Sequence, residues 1–102
     1  MRSLQENELE AVLQTHQLVV VLAHTPTCGT CAVAKRMLSV VSNLIPEVLF
    51  ADLNLNQYAQ LAQDEQILSV PGILIYEDGI CREIVYAFQS VPFLFEKIKT
   101  YI

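Results

Sequence analysis

The chain has 102 residues, 53% of them hydrophobic, and carries a net charge of −5 at pH 7. That length describes one domain spanning residues 1–102, and the composition is too apolar for a disordered chain. Scattered acidic charge offers no basic surface for phosphates, which disfavours nucleic-acid binding, and no apolar run approaches a membrane span.

The first residues, Met1 to Glu8, hold no apolar stretch of the secretory type, so no secretory signal is expected. Three cysteines in such a chain argue against a structural disulfide framework, and a cytoplasmic location is the expectation.

Residues 3–16 read as an amphipathic helix. Ser3 and Glu6 have capping-box spacing, and Leu4, Leu9, Val12 and Leu13 form one apolar face. Residues 17–24 read as a buried strand. Residues 28–44 read as a second helix, with Val33, Met37, Val40, Val41 and Leu44 as its buried side and Pro46 beyond its end. Residues 48–53 form a second strand, and Asn56 is placed as the cap of a helix over about 57–66. Residues 72–77 form a third strand. Asp78-Gly79 is a hairpin turn leading into a fourth strand over 80–87. Ser90 caps the last helix, with Pro92 in its first turn and Leu94, Ile98, Tyr101 and Ile102 buried. The order is αβαβαββα: an α/β fold with a central four-stranded mixed sheet flanked by helices. The first two strands are parallel through a right-handed crossover, and the final hairpin is antiparallel.

Cys28-Gly29-Thr30-Cys31 carries the chemistry. It lies where the first long strand meets the second helix. Cys28 sits at the helix N-terminus, where unpaired N–H groups and the dipole favour a thiolate. Cys31 follows one turn later on the same side, within reach of a disulfide. A zinc site would need two further ligands, and the remaining candidates are only Cys81, His16 and His24. Reversible dithiol–disulfide chemistry therefore ranks above metal binding and above a purely structural pair. No metal and no bound cofactor are expected.

The element order, the C-G-T-C motif after the first strand and Val70-Pro71 before the third together resemble the thioredoxin family over nearly the whole chain. The resemblance implies that Val70-Pro71 is cis and borders the disulfide, with Val70 offering backbone groups to an extended substrate. It also implies departures. The chain starts at the helix and lacks the extra N-terminal strand typical of the family. Thr27 replaces a usual tryptophan, and the family's buried carboxylate falls on Leu22. Its partner lysine falls near Asp52, its helix-kinking proline near Arg36, and its late glycine near Tyr86.

Other residues carry two readings each. The Thr30 hydroxyl either donates to the Cys28 sulfur or bonds locally. His24, four residues before Cys28, is a packing residue on simple expectation, and a charge or proton partner of the thiols otherwise. Asp52 reads first as a surface acid, and second as a substitute for the missing buried carboxylate. Cys81 reads as a spectator, and Lys35 and Arg36 as a solvated helix face.

The expected function is thiol–disulfide oxidoreduction acting on protein disulfides, as a reductant. Cys28 is the nucleophile and Cys31 the resolving thiol. A thioredoxin-reductase-like flavoenzyme is the expected electron source. The alternative is a redox-weak module that binds extended peptides beside Pro71.

Overall fold

Residues 1–86 and 90–102 are described by the computed structural model. In chain order they form β1 (Arg2–Ser3), α1 (Leu9–Thr15), β2 (Leu18–His24), α2 (Gly29–Leu44), β3 (Leu49–Asn54), a short 3₁₀ turn (Leu55–Gln57), α3 (Ala59–Asp64), β4 (Gly72–Glu77), β5 (Ile80–Val85) and α4 (Val91–Lys99). The strands make one five-stranded sheet in the order β1-β3-β2-β4-β5.

Strand β2 lies at the centre because both its faces are apolar. Val19 through Ala23 are all fully buried, the pattern of a strand covered on two sides. Alternation splits them. Val20 and Leu22 join Phe50, Ile73 and Ile75 beneath α2 and α4. Val19, Val21 and Ala23 join Leu9, Val12, Ala51 and Leu74 on the α1 side. The parallel β2–β3 pair and the antiparallel β4–β5 hairpin are as expected. Asp78 and Gly79 have φ of 53° and 81°, the left-handed pair that a two-residue hairpin turn needs. The strand read over 80–87 ends at Val85, Tyr86 lies beyond it, and Ala87 lies outside the described residues.

The N-terminus departs from expectation. A helix over 3–16 does not form. Arg2–Ser3 is a fifth strand, parallel to β3, with Ser3 opposite Asp52. The Leu4 N–H extends the pairing to the Asp52 carbonyl at 2.8 Å. Ser3 is no helix cap, because its hydroxyl is spent on the Asp52 carboxylate. Asn7 at φ 68° then breaks the chain direction, and α1 begins only at Leu9. The acid-to-backbone contact read at Ser3 and Glu6 is made instead by Glu8, which accepts from the Gln5 N–H at 2.5 Å.

Of the two later helix caps expected, one shifts and one holds. Asn56 does not cap α3: it lies within the 3₁₀ turn, which Asn54 caps by accepting from the Asn56 N–H at 3.0 Å, and α3 shortens to Ala59–Asp64 with Tyr58 at its start and no side-chain cap. Ser90 does cap α4, accepting from the Phe93 N–H at 3.1 Å. Ile102 at the C-terminus is exposed.

Helix α2 buries Cys31, Ala34, Leu38 and Val41. Val33, Val40 and Leu44, read as buried, are 42%, 48% and 56% exposed. Both stripes are apolar at helical spacing, so periodicity alone allows either. The sheet packs against the stripe that holds Ala34, Leu38 and Val41. Replacing Leu38 with Ala should therefore cost about 2–5 kcal/mol of stability, whereas Val40→Ala should stay within about 0.5 kcal/mol. Urea unfolding of both variants checks this, and equal losses would contradict the assigned face.

Candidate active site

The end of β2 delivers the chain to the helix that carries the motif. Cys28 has extended backbone geometry and caps α2, so its sulfur stands at the helix N-terminus. Cys31 is one turn in and 6% exposed, while Cys28 is only half-buried. The two are joined as a disulfide with a Cα–Cα distance of 5.4 Å, within the usual range. The difference in access gives each sulfur its reach: Cys28 meets solvent and Cys31 does not. The Thr30 hydroxyl lies 3.5 Å from the Cys28 sulfur; with the sulfurs joined, only the hydroxyl has a proton to donate.

Strand register sets the second wall. Ala23 pairs with Gly72 across the β2–β4 ladder, which brings Pro71 level with the end of β2. The Val70–Pro71 peptide bond is cis. Thr30, Val33, Ala34, Met37, Pro71 and Tyr86 line a groove of about 330 Å³ that runs from the motif along α2. The Tyr86 hydroxyl accepts from the Leu68 N–H at 3.1 Å and donates to the Gln66 carbonyl at 3.5 Å. It thereby ties down the loop that leads into Pro71.

A smaller cavity of about 190 Å³ opens on the other side of the motif. His24, Cys28, Cys31 and Lys35 are among its lining residues. Behind it lies Asp52, only 3% exposed. It is a buried acid, not the surface acid first expected. His24 Nε2 is 3.0 Å from Oδ1, Lys35 Nζ is 3.5 Å from Oδ2, and the Ser3 hydroxyl reaches both oxygens at 3.2 and 3.1 Å. Lys35 is thus an ion-pair partner and not merely a solvated residue. Strand pairing sets Leu22 directly beside Asp52, so an acid lies one strand away from where the family resemblance looked for it.

The signal for this burial was present. Asp52 interrupts an otherwise apolar run, on the same face as buried Phe50, and a charge in such a run must be paired. The partners Ser3 and Lys35 could not be found this way, because they arrive from a strand and a helix distant in sequence.

The groove and cavity account for His24, Cys28, Thr30, Cys31 and Pro71. Val70 precedes the cis bond and is half-buried. Cys81 stands apart on β5, in contact with the cluster on the α1 side of the sheet. Burial, with the nearby Glu65 carboxylate, pushes its thiol up to about 11. A surface hollow of about 530 Å³ is lined by His16 and the β4–β5 turn at the opposite end of β2 and contains no cysteine. Among the described residues, no three His, Cys, Asp or Glu side chains gather as a metal site, and no helix is long and apolar enough to cross a membrane.

A parallel-and-antiparallel sheet of this order, with a C-x-x-C pair at a helix N-terminus beside a cis proline, defines a thioredoxin-like dithiol protein. The thioredoxin family model matches residues 1–99, and the chain belongs to that family. It is 40% identical over 99 residues to the thioredoxin-like protein YusE of Bacillus subtilis, covering 97% of this chain and 92% of the relative. It is 25% identical over 73 residues to thioredoxin-1 of Saccharomyces cerevisiae, covering 72% of this chain and 71% of that one. Among solved structures, a Plasmodium falciparum thioredoxin matches with a TM-score of 0.88 at 17% identity, covering all of both chains. A mutant thioredoxin from Halobacterium salinarum matches at 0.86 and 20%, covering 98% of this chain and 90% of that one. The family together with its close cysteine pair supports thiol–disulfide oxidoreduction in general.

The differing environments of the three thiols are testable. Alkylation of the reduced protein near pH 8 should label Cys28 first and leave Cys81 intact, because a thiol titrating at about 11 is about one part in a thousand thiolate there. Cys81 labelling should accelerate only as pH climbs towards its titration. Mass mapping that finds Cys81 labelled first would contradict this ordering.

Proposed function

We propose that this protein reduces disulfides in other proteins. The observation that supports this most is the half-exposed Cys28 at the start of α2, paired with the buried Cys31 and flanked by a groove that ends at cis-Pro71.

In the first step the Cys28 thiolate attacks one sulfur of the substrate disulfide. The substrate S–S bond breaks, its distal sulfur leaves as a thiolate, and a mixed disulfide forms on Cys28. The N-terminus of α2 stabilises the attacking anion, and the Thr30 hydroxyl donates to it. An extended substrate strand lies in the groove along Val33 and Met37, with the backbone of Val70 as its hydrogen-bonding edge. In the second step Cys31 loses its proton and attacks the Cys28 sulfur. The mixed disulfide breaks, the second substrate thiolate departs, and Cys28–Cys31 is oxidised. A thioredoxin-reductase-like flavoenzyme or another dithiol then returns two electrons. The domain needs no resident cofactor, and its working location is the cytoplasm.

Division of labour between the cysteines gives the test. The protein should accelerate reduction of a model protein disulfide by dithiothreitol. Cys31→Ser should trap substrate covalently on Cys28, and Cys28→Ser should trap nothing and lose the acceleration entirely. Equal trapping by both variants would contradict the assigned roles. Binding of extended peptides with no turnover by the unaltered protein would favour the interaction module instead.

A further inference from the structure

Asp52 is the one buried charged residue among the described residues. Burying a carboxylate is costly unless every lone pair finds a donor. Here three side chains supply donors: Ser3 from β1, His24 from β2 and Lys35 from α2. All converge beneath the N-terminal half of α2, on the face of the sheet that carries Leu22 and Phe50.

The contact with His24 fixes more than position. Asp52 accepts from all its neighbours, so the 3.0 Å contact requires a hydrogen on His24 Nε2. In the neutral imidazole the free lone pair is then on Nδ1. This is the arrangement by which a carboxylate holds a histidine in the tautomer that accepts a proton. Lys35 occupies the second carboxylate oxygen and leaves the first to the imidazole. It lies four residues beyond Cys31 on α2, so the two stack on one side of the helix. His24 lines the same small cavity as Cys28 and Cys31.

The exchange reading above leaves one proton without a destination. Cys31 is buried and must lose its proton before it attacks. Leu22, beside Asp52, has no group that can take it.

Resting on that reading, we propose that His24 accepts the Cys31 proton during resolution of the mixed disulfide, and that Asp52, braced by Lys35 and Ser3, is the positioning residue that holds His24 for this task. The Cys31 S–H proton passes to His24 Nδ1. The Cys31 sulfur bonds to the Cys28 sulfur, and the bond between Cys28 and the substrate sulfur breaks. The departing thiolate leaves with the electron pair and takes a proton from the imidazolium or from water. The titratable and charged groups facing His24 are Asp52 from β3 and Lys35, Cys28 and Cys31 from α2.

The experiment mixes the reduced protein with a chromogenic aryl disulfide in a stopped-flow instrument. The first release of coloured thiolate reports attack by Cys28, and the second reports resolution by Cys31. In His24→Gln the second phase should slow about a hundredfold near pH 7 while the first changes by less than about threefold. The deficit should close at alkaline pH, as Cys31 ionises without help. Asp52→Asn should slow the same phase by a smaller factor with the same pH dependence. Thermal melts establish that each variant is folded, and His24→Gln, which keeps much of the side-chain volume, carries the test if Asp52→Asn is not. An unchanged second phase in His24→Gln, equal slowing of both phases, or a deficit independent of pH would overturn the proposal. A single release by the unaltered protein, with no second phase, would overturn the exchange reading as well.

Discussion

A buried carboxylate holds this fold to its site. Asp52 lies inside the sheet, out of water, and each of its donors comes from a different element. Ser3 brings β1 to the sheet edge, and the Leu4 N–H on the Asp52 carbonyl extends that pairing. His24 anchors the last residue of β2, and Lys35 ties down the second turn of α2. Removing one partner of a buried ion pair leaves a charge without compensation. The same contact set therefore bears on the N-terminal strand, the central strand and the helix that presents the cysteines.

Around this polar centre the apolar packing is conventional for a two-sided sheet. Leu38, Val41 and Ile45 press α2 on Val20, Phe50 and Ile75. That packing sets the depth of the helix start, and hence which sulfur is exposed. The register of β2 with β4 sets Pro71 at the same height, and Tyr86 secures the loop before it. The geometry at the motif thus rests on buried core side chains as well as on those that line the groove.

Much of this was legible in the sequence. The C-x-x-C pair, the apolar run of β2, the Asp78-Gly79 turn and the Ser90 cap are local signals, and each is realised close to where it was read. What misled was also local. Ser3 and Glu6 carry a helix-start pattern, but a hydrogen-bonded sheet edge and a buried acid compete for Ser3 and win. The apolar residues of α2 make two stripes, and only the sheet decides between Ala34-Leu38-Val41 and Val33-Val40-Leu44. Asp52 looked like a surface acid because its partners lie 28 and 49 residues away in the chain. The site's long-range half is a product of topology, which no window of sequence contains.

The proposed exchange requires Cys28 and Cys31 to act as one reversible two-electron couple. Equilibration against graded ratios of reduced and oxidised glutathione, followed by acid quenching and mass analysis, measures this directly. The expected result is a single transition between dithiol and intramolecular disulfide, with the slope of a two-electron couple, about 30 mV per tenfold, and with Cys81 a free thiol throughout. Stable glutathione adducts on Cys28 in place of the disulfide, or a transition that involves Cys81, would contradict it.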